Sequence, residues 1–243
     1  MPLLEATHLS KKFRLPQNLW HRALYHQAVD QVSLRLEAGE VIGILGESGC
    51  GKSTFARLLA GIMTADAGDL LFRGKPLQLL SRQQKAQAVQ LVFQDPTAAL
   101  HPRITIGEAL CEPMQRVLGL GRAHAASEVQ QLLMHLALPQ EILARYPHEL
   151  SGGQQQRACL ARALALKPAV LICDEPLTAL DRMTQAQVLQ VLAKLRQSFA
   201  CALIFISHDI TMLRLIADKL VVMKDGIWLE SGKIGRASCR ERV

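Results

Sequence analysis

Three short stretches of this chain combine residue types that bind phosphate and activate water. The first is GESGCGKST, Gly46 to Thr54, directly after the apolar run VIGIL. It fits the spacing G-x-x-x-x-G-K-[ST] through Gly46, Gly51, Lys52 and Ser53. Glycines there let main-chain N–H groups turn inward without a side-chain clash. A helix that starts at this point adds unsatisfied donors and a positive dipole end. Lys52 is placed to reach β- and γ-phosphates, and the Ser53 hydroxyl to ligate Mg²⁺. The whole stretch, with Glu47, Ser48, Gly49, Cys50 and Thr54, reads as a polyphosphate cradle. The second is VLICDE, residues 170–175. A strand ending in two carboxylates puts Asp174 and Glu175 on opposite faces. Asp174 is expected near a Mg²⁺ shell, and Glu175 is expected to polarise the water that attacks a γ-phosphate. On its own such a pair is as well read as a solvated strand end; a phosphate loop on the same sheet favours the chemical reading.

The third is LSGGQQQR, residues 150–157. Ser151 suits a helix N-cap, and Gly152, Gly153 and Gln154 begin the helix. A serine, two glycines and a helix start also make a second anion site. One chain rarely needs two γ-phosphate sites. Two chains facing head to tail do, if each lends this loop to the other's nucleotide.

These residues need elements to hold them. Residues 3–9 and 32–37 alternate apolar and polar, as half-buried strands do. Residues 41–46, 88–93, 170–175 and 202–207 are short apolar runs suited to buried strands. STFARLLAGI and residues 181–198 have helical spacing. From about 104 to 167 helical patterns dominate, broken at Pro139 and Pro147. KLVVMKDG and IWLESG read as a closing hairpin. Short strands alternating with helices predict an α/β fold with a parallel sheet and an inserted helical lobe.

Composition narrows the class. With 49% hydrophobic residues, 243 residues can bury a sizeable core. Aromatics make up only 4%, which argues against a base-stacking nucleic-acid surface. The net charge of +7 comes without a dense Lys/Arg block. Six cysteines are scattered with no CxxC pair, which fits packed thiols in a reducing compartment rather than a disulfide or zinc scaffold. The N-terminus has no signal-peptide pattern, and no 18-residue apolar window offers a membrane span. The last ten residues, IGRASCRERV, resemble a translated sequencing adapter, so 234–243 are expected to be a non-native tail. That tail holds three arginines, and the basic excess shrinks without it.

GESGCGKST, LVFQDP, LSGGQQQR, VLICDE, TALD and SHD, in this order and spacing, resemble the ATP-binding-cassette ATPase family over nearly all of residues 3–232. The resemblance implies an α/β P-loop NTPase with a RecA-like core, an antiparallel β subdomain and an inserted helical signature subdomain. It places the ATP-binding domain at 1–233, with the core at 1–94 and 161–233 and the helical part at about 95–160. It implies ATP and Mg²⁺ as cofactors. It assigns Gln94 to the loop that contacts Mg²⁺ or water and relays to a membrane partner. Asp181 becomes the residue that crosses to the opposite monomer, and His208 the switch that contacts the γ-phosphate. Glu175, His208 and Gln94 are the catalytic set, and Ser53, Gln94 and Asp174 the metal set. Phe13 matches the aromatic that stacks on adenine; Tyr25, nearer the loop in sequence, is the alternative.

DPTAALHPRITIGEALCEPM, residues 95–114, resembles the corresponding stretch of the peptide and nickel importer ATPases, as does the long insertion at 15–32. That branch implies a peripheral subunit on the cytoplasmic face of the inner membrane. Its partners are a second ATPase subunit, identical or different, transmembrane permease subunits and, indirectly, a solute-binding protein. No nucleic acid is expected. His21, His26 and His101 are expected to be surface histidines rather than metal ligands. Two other roles stay open: a soluble accessory ATPase of an enzyme complex such as carbon–phosphorus lyase, and a nucleic-acid- or ribosome-associated ATPase.

Overall fold

Val41–Gly46 contains only apolar residues and glycine, and it forms a strand buried through Ile44. The computed structural model describes residues 1–15, 24–96, 99–177, 182–199 and 201–233. Asp181, His21 and the expected tail at 234–243 lie outside the described residues. The chain divides into two units: Met1–Leu79 with the residues from Ile204 onward, and Leu80–Leu203.

In the first unit, β1 (Leu4–Arg14) and β2 (Tyr25–Leu36) pair antiparallel. With β4 (Ala67–Phe72) and β5 (Lys75–Pro76) they form a four-stranded sheet in the order β2-β1-β4-β5. Leu4, Ala6, Val32, Leu34 and Leu36 are buried, which gives the expected inward row. β1 runs past the predicted end at residue 9. His8 takes a left-handed φ of 49° and the register shifts between Ala6 and Leu9, so the alternation that marks the strand is interrupted while the pairing continues.

β3 (Val41–Gly46) pairs parallel with β9 (Lys219–Lys224), from Ile42↔Lys219 to Gly46↔Met223. β9 and β10 (Ile227–Lys233) form the predicted antiparallel hairpin. α1 (Lys52–Leu59) turns Phe55, Ala56, Leu58 and Leu59 inward. The Phe55 ring meets Trp228 edge to face at 5.1 Å, and the Trp228 indole N–H donates to the Ser33 carbonyl at 2.7 Å. α1 is thereby fixed through the buried Phe55 ring. α7 (Ile210–Ile216) follows β8 (Ala202–Ser207), the strand through which the chain returns from the second unit.

In the second unit, β6 (Val89–Val92) and β7 (Val170–Asp174) run parallel, from Val89↔Val170 to Val92↔Cys173. The helices α3 (Ile106–Leu118), α4 (Arg122–His135) and α5 (Gly152–Leu164) supply the predicted helical stretch. Tight 3-10 turns at Gln140–Ala144 and Pro147–Glu149 separate α4 from α5, where Pro139 and Pro147 remove main-chain donors. α6 spans Arg182–Phe199. α2 (Arg82–Ala88) was not predicted; its signal is S-x-x-Q, since Ser81 and Gln84 form a reciprocal capping box. Among the described residues no helix is long and apolar enough to cross a membrane.

Candidate functional site

The glycine loop lies in the first unit. After β3 the chain turns through Glu47, Ser48 and Gly49, all exposed, to Gly51, which has φ 106° and precedes α1. A Cβ at Gly51 would collide with the Ala28 carbonyl oxygen, and one at Gly46 with the Met223 carbonyl oxygen. Neither position tolerates a side chain, which is why a closely packed turn needs glycine there. The helices α2, α3, α5 and α7 each have a first turn capped by their own Ser81, Thr105, Ser151 or Asp209. α4 has no side-chain cap, and none of the described side chains caps α1. Its first-turn amides therefore keep their capacity for an anion.

Lys52 is buried at 4% exposure, and its ammonium donates to the carbonyls of Gly46 and Glu47, each at 2.7 Å. The positive charge is held on the loop itself. Ser53 and Thr54 are half-buried at the helix start. Burial pushes the Cys50 thiol up, and the Lys52 charge pulls it the other way. His208 is exposed in the turn after β8. The next residue, Asp209, caps α7 by accepting from the Thr211 and Met212 amides at 2.8 and 3.4 Å, which fixes the backbone that presents His208. Phe13 pairs with His26, and Tyr25 with Arg14, at successive register positions of β1 and β2. The two aromatics thus point to opposite faces of the sheet. His26 and His101 are exposed, and His101 Nδ1 accepts from the Arg103 amide at 3.2 Å.

The second unit holds the other candidates. Gln94 is exposed just beyond β6. Asp174 ends β7 and is buried, while Glu175 is half-buried and takes a left-handed φ of 45°. For a residue with a Cβ that conformation costs about 1–2 kcal/mol. The strain falls on the carboxylate expected to handle water.

Ser151 caps α5 as expected: its Oγ accepts from the Gln154 amide at 3.3 Å, and Gln154 Oε1 accepts from the Ser151 amide at 3.1 Å. The Ser151 O–H is left to donate outward. Ser151 and Gly152 are exposed, and a Cβ at Gly152 would meet nothing within 4 Å. The loop is therefore open to an incoming group.

One shaping residue was missed in the sequence. Arg157 Nε donates to the Gly153 carbonyl at 3.2 Å, and Nη1 to the Ala137 carbonyl at 2.9 Å. It ties the start of α5 to the end of α4. Its only sequence signal was a spacing of four from Gly153. Ser53, Gln94 and Asp174 offer hydroxyl, amide and carboxylate oxygens, the hard donors that Mg²⁺ prefers.

The chain matches the ABC transporter family model over residues 29–178. It is 41% identical over 237 residues to the oligopeptide transport ATP-binding protein OppF of Haemophilus influenzae, covering 95% of this chain and 71% of that protein. It is 43% identical over 214 residues to the nickel import ATP-binding protein NikE of Escherichia coli O6:K15:H31, covering 86% and 80%. Among solved structures it resembles the dimeric, post-hydrolysis ATP-binding cassette MJ0796 bound to ADP and Pi. There the TM-score is 0.85 at 25% identity, over 95% of this chain and 98% of that one. It also resembles cbiO1 from Clostridium perfringens, part of the ABC transporter complex cbiONQ. That match has a TM-score of 0.79 at 27% identity, over 96% and 89%.

Proposed function

The chain belongs to the ABC transporter family, and from that premise we propose that it is the ATP-hydrolysing subunit of an importer for peptides, nickel or metal-chelate solutes. The carrying observation is the α1 N-terminus: an uncapped helix start behind Gly51, with Lys52 held on the loop. An anion of high charge fits it, and the β/γ-phosphates of ATP have that charge. Relatives that serve oligopeptide and nickel import support the solute class.

In this reading Gly46–Thr54 grips the phosphates, with Lys52 exchanging loop carbonyls for phosphate oxygens. Mg²⁺ bound with the nucleotide would neutralise phosphate charge, and Ser53, Gln94 and Asp174 are the residues that would hold it. Glu175 orients the attacking water, and His208 contacts the γ-phosphate. Phe13 stacks on adenine. Ser151, Gly152, Gly153 and Gln154 cover the γ-phosphate of a second cassette, and Asp181 reaches across to it. The division into a core of 1–94 and 161–233 and a helical part of about 95–160 belongs to the same proposal. ATP favours the closed pair because both loops engage the phosphates only there.

The subunit sits on the cytoplasmic face of the inner membrane, docked on permease subunits. The test is capture of the tagged chain from native membranes, together with MgATP hydrolysis by the purified chain. Recovery of a permease and a second ATPase subunit is the expected result. Recovery of a soluble enzyme complex instead would sink the importer reading and leave the ATPase reading standing.

A further inference from the structure

Gln156 lies in α5, is only 3% exposed, and its side-chain Nε2 has no hydrogen-bond acceptor among the described residues. Its neighbours are served. Gln154 closes the capping box, Gln155 Nε2 donates to the Pro147 carbonyl at 2.9 Å, and Arg157 donates to Gly153 and Ala137. A buried donor without an acceptor opposes folding, and folded proteins seldom keep one without a use.

Helical spacing places Gln156 on the face of Cys159, Leu160 and Ala163, all buried. Cys159 Sγ lies 3.5 Å from the Pro96 carbonyl oxygen, and the Asp95 charge acts on the same thiol. The segment leaving β6, which carries Gln94, therefore covers this face of α5. The Pro96 carbonyl already accepts from the Ala99 and Leu100 amides at 3.1 and 3.2 Å. Just upstream of Pro96, residues 94 and 95 carry further oxygens of the same segment, and the Asp95 charge already acts on this face of α5.

We propose that Gln156 is a positioning residue that couples the Ser151 loop to the Gln94 segment: when Gln94 engages nucleotide, an oxygen of residues 94–95 turns inward and accepts from Gln156 Nε2. The inference rests on the reading above, in which Gln94 and Ser151 both serve ATP. A hydrogen bond made only in the engaged state shifts the balance toward that state. Left unpaired the amide opposes folding, and pairing it favours the engaged arrangement.

The test compares the full wild-type chain with Gln156→Met, which keeps side-chain length and removes both polar atoms. Three quantities are read: melting temperature without nucleotide, maximal MgATP hydrolysis rate, and half-saturating ATP. The variant is expected to melt no lower than wild type, and up to about 5 °C higher. Its maximal rate is expected to fall about 10-fold, the size of an ordinary coupling between sites. Half-saturating ATP should stay within roughly threefold, because the lost bond belongs to the engaged state alone. A lower nucleotide-free melting temperature would mean that the amide is already served, by a buried water for instance, and would overturn the proposal. So would an unchanged maximal rate, or an effect confined to half-saturating ATP. A wild type that does not hydrolyse MgATP removes the functional reading and this inference with it; an active wild type with an equally active variant removes the inference alone.

Discussion

Lys52 Nζ donates to the Gly46 carbonyl at 2.7 Å, so the end of β3 holds the cation of the phosphate loop in place. A phosphate oxygen that enters the loop meets a charge already positioned.

Replacing Lys52 with Ala is expected to weaken MgATP binding at least ~10- to 100-fold, since charge-assisted hydrogen bonds are worth about 1.5–3 kcal/mol each. Titration with a fluorescent ATP analogue reads this directly. Affinity within roughly twofold of wild type would contradict the cradle assignment.

Two glycines should separate folding from function. Gly51→Ala places a Cβ against the Ala28 carbonyl at a positive φ, and the melting temperature should fall by more than about 5 °C. Gly152→Ala meets open space, so melting should change by less than about 2 °C. Its ATPase rate should nonetheless drop, because the added methyl occupies the face offered to a second cassette. Equal melting losses in both variants would refute the contrast.

Glu175 carries backbone strain as well as a carboxylate. Glu175→Gln is expected to bind MgATP normally, to stop turnover and to trap an ATP-bound dimer when the partner subunit is present. Light scattering that shows only monomer under those conditions would end the shared-site account. Glu175→Gly should also be inactive, yet should melt higher than Glu175→Gln, because glycine accepts φ 45° without the Cβ penalty.

Burial pushes the Cys159 and Cys201 thiols up to about 12, and Cys173 further still. Raised values leave little thiolate at pH 8. Burial also raises the Cys111 thiol, but among the described cysteines it alone is half-buried rather than buried, so it should alkylate first in the native protein. Mass spectrometry of a maleimide time course checks the order; early labelling of Cys173 would show that β7 opens.

Much of this arrangement was legible in the sequence because local physics dictates it. The apolar run 41–46 gives a buried strand wherever it is paired, and S-G-G-Q at 151–154 gives a capped helix from its own side chains. Some of the features that escaped depend on contacts between distant residues, and others on short local turns with no apolar pattern. β1 outruns its alternation because pairing with β2 survives the bulge at His8. The capping box of α2 was readable at Ser81 and Gln84, but its short polar helix lacks an apolar stripe. Arg157 gained its role from carbonyls twenty residues away, at the end of α4, and Glu175 its strain from the turn beyond β7.

β3 finds its parallel partner in β9, with Ile42 opposite Lys219, and the whole second unit is threaded between them. A ribosome making this protein releases the phosphate loop long before the strand that completes its sheet. The nascent chain must hold an apolar strand without its sheet neighbours until synthesis passes residue 202, an interval in which aggregation competes with folding. Dependence on a chaperone during translation, and slow refolding from denaturant, are the expected marks of that order of assembly.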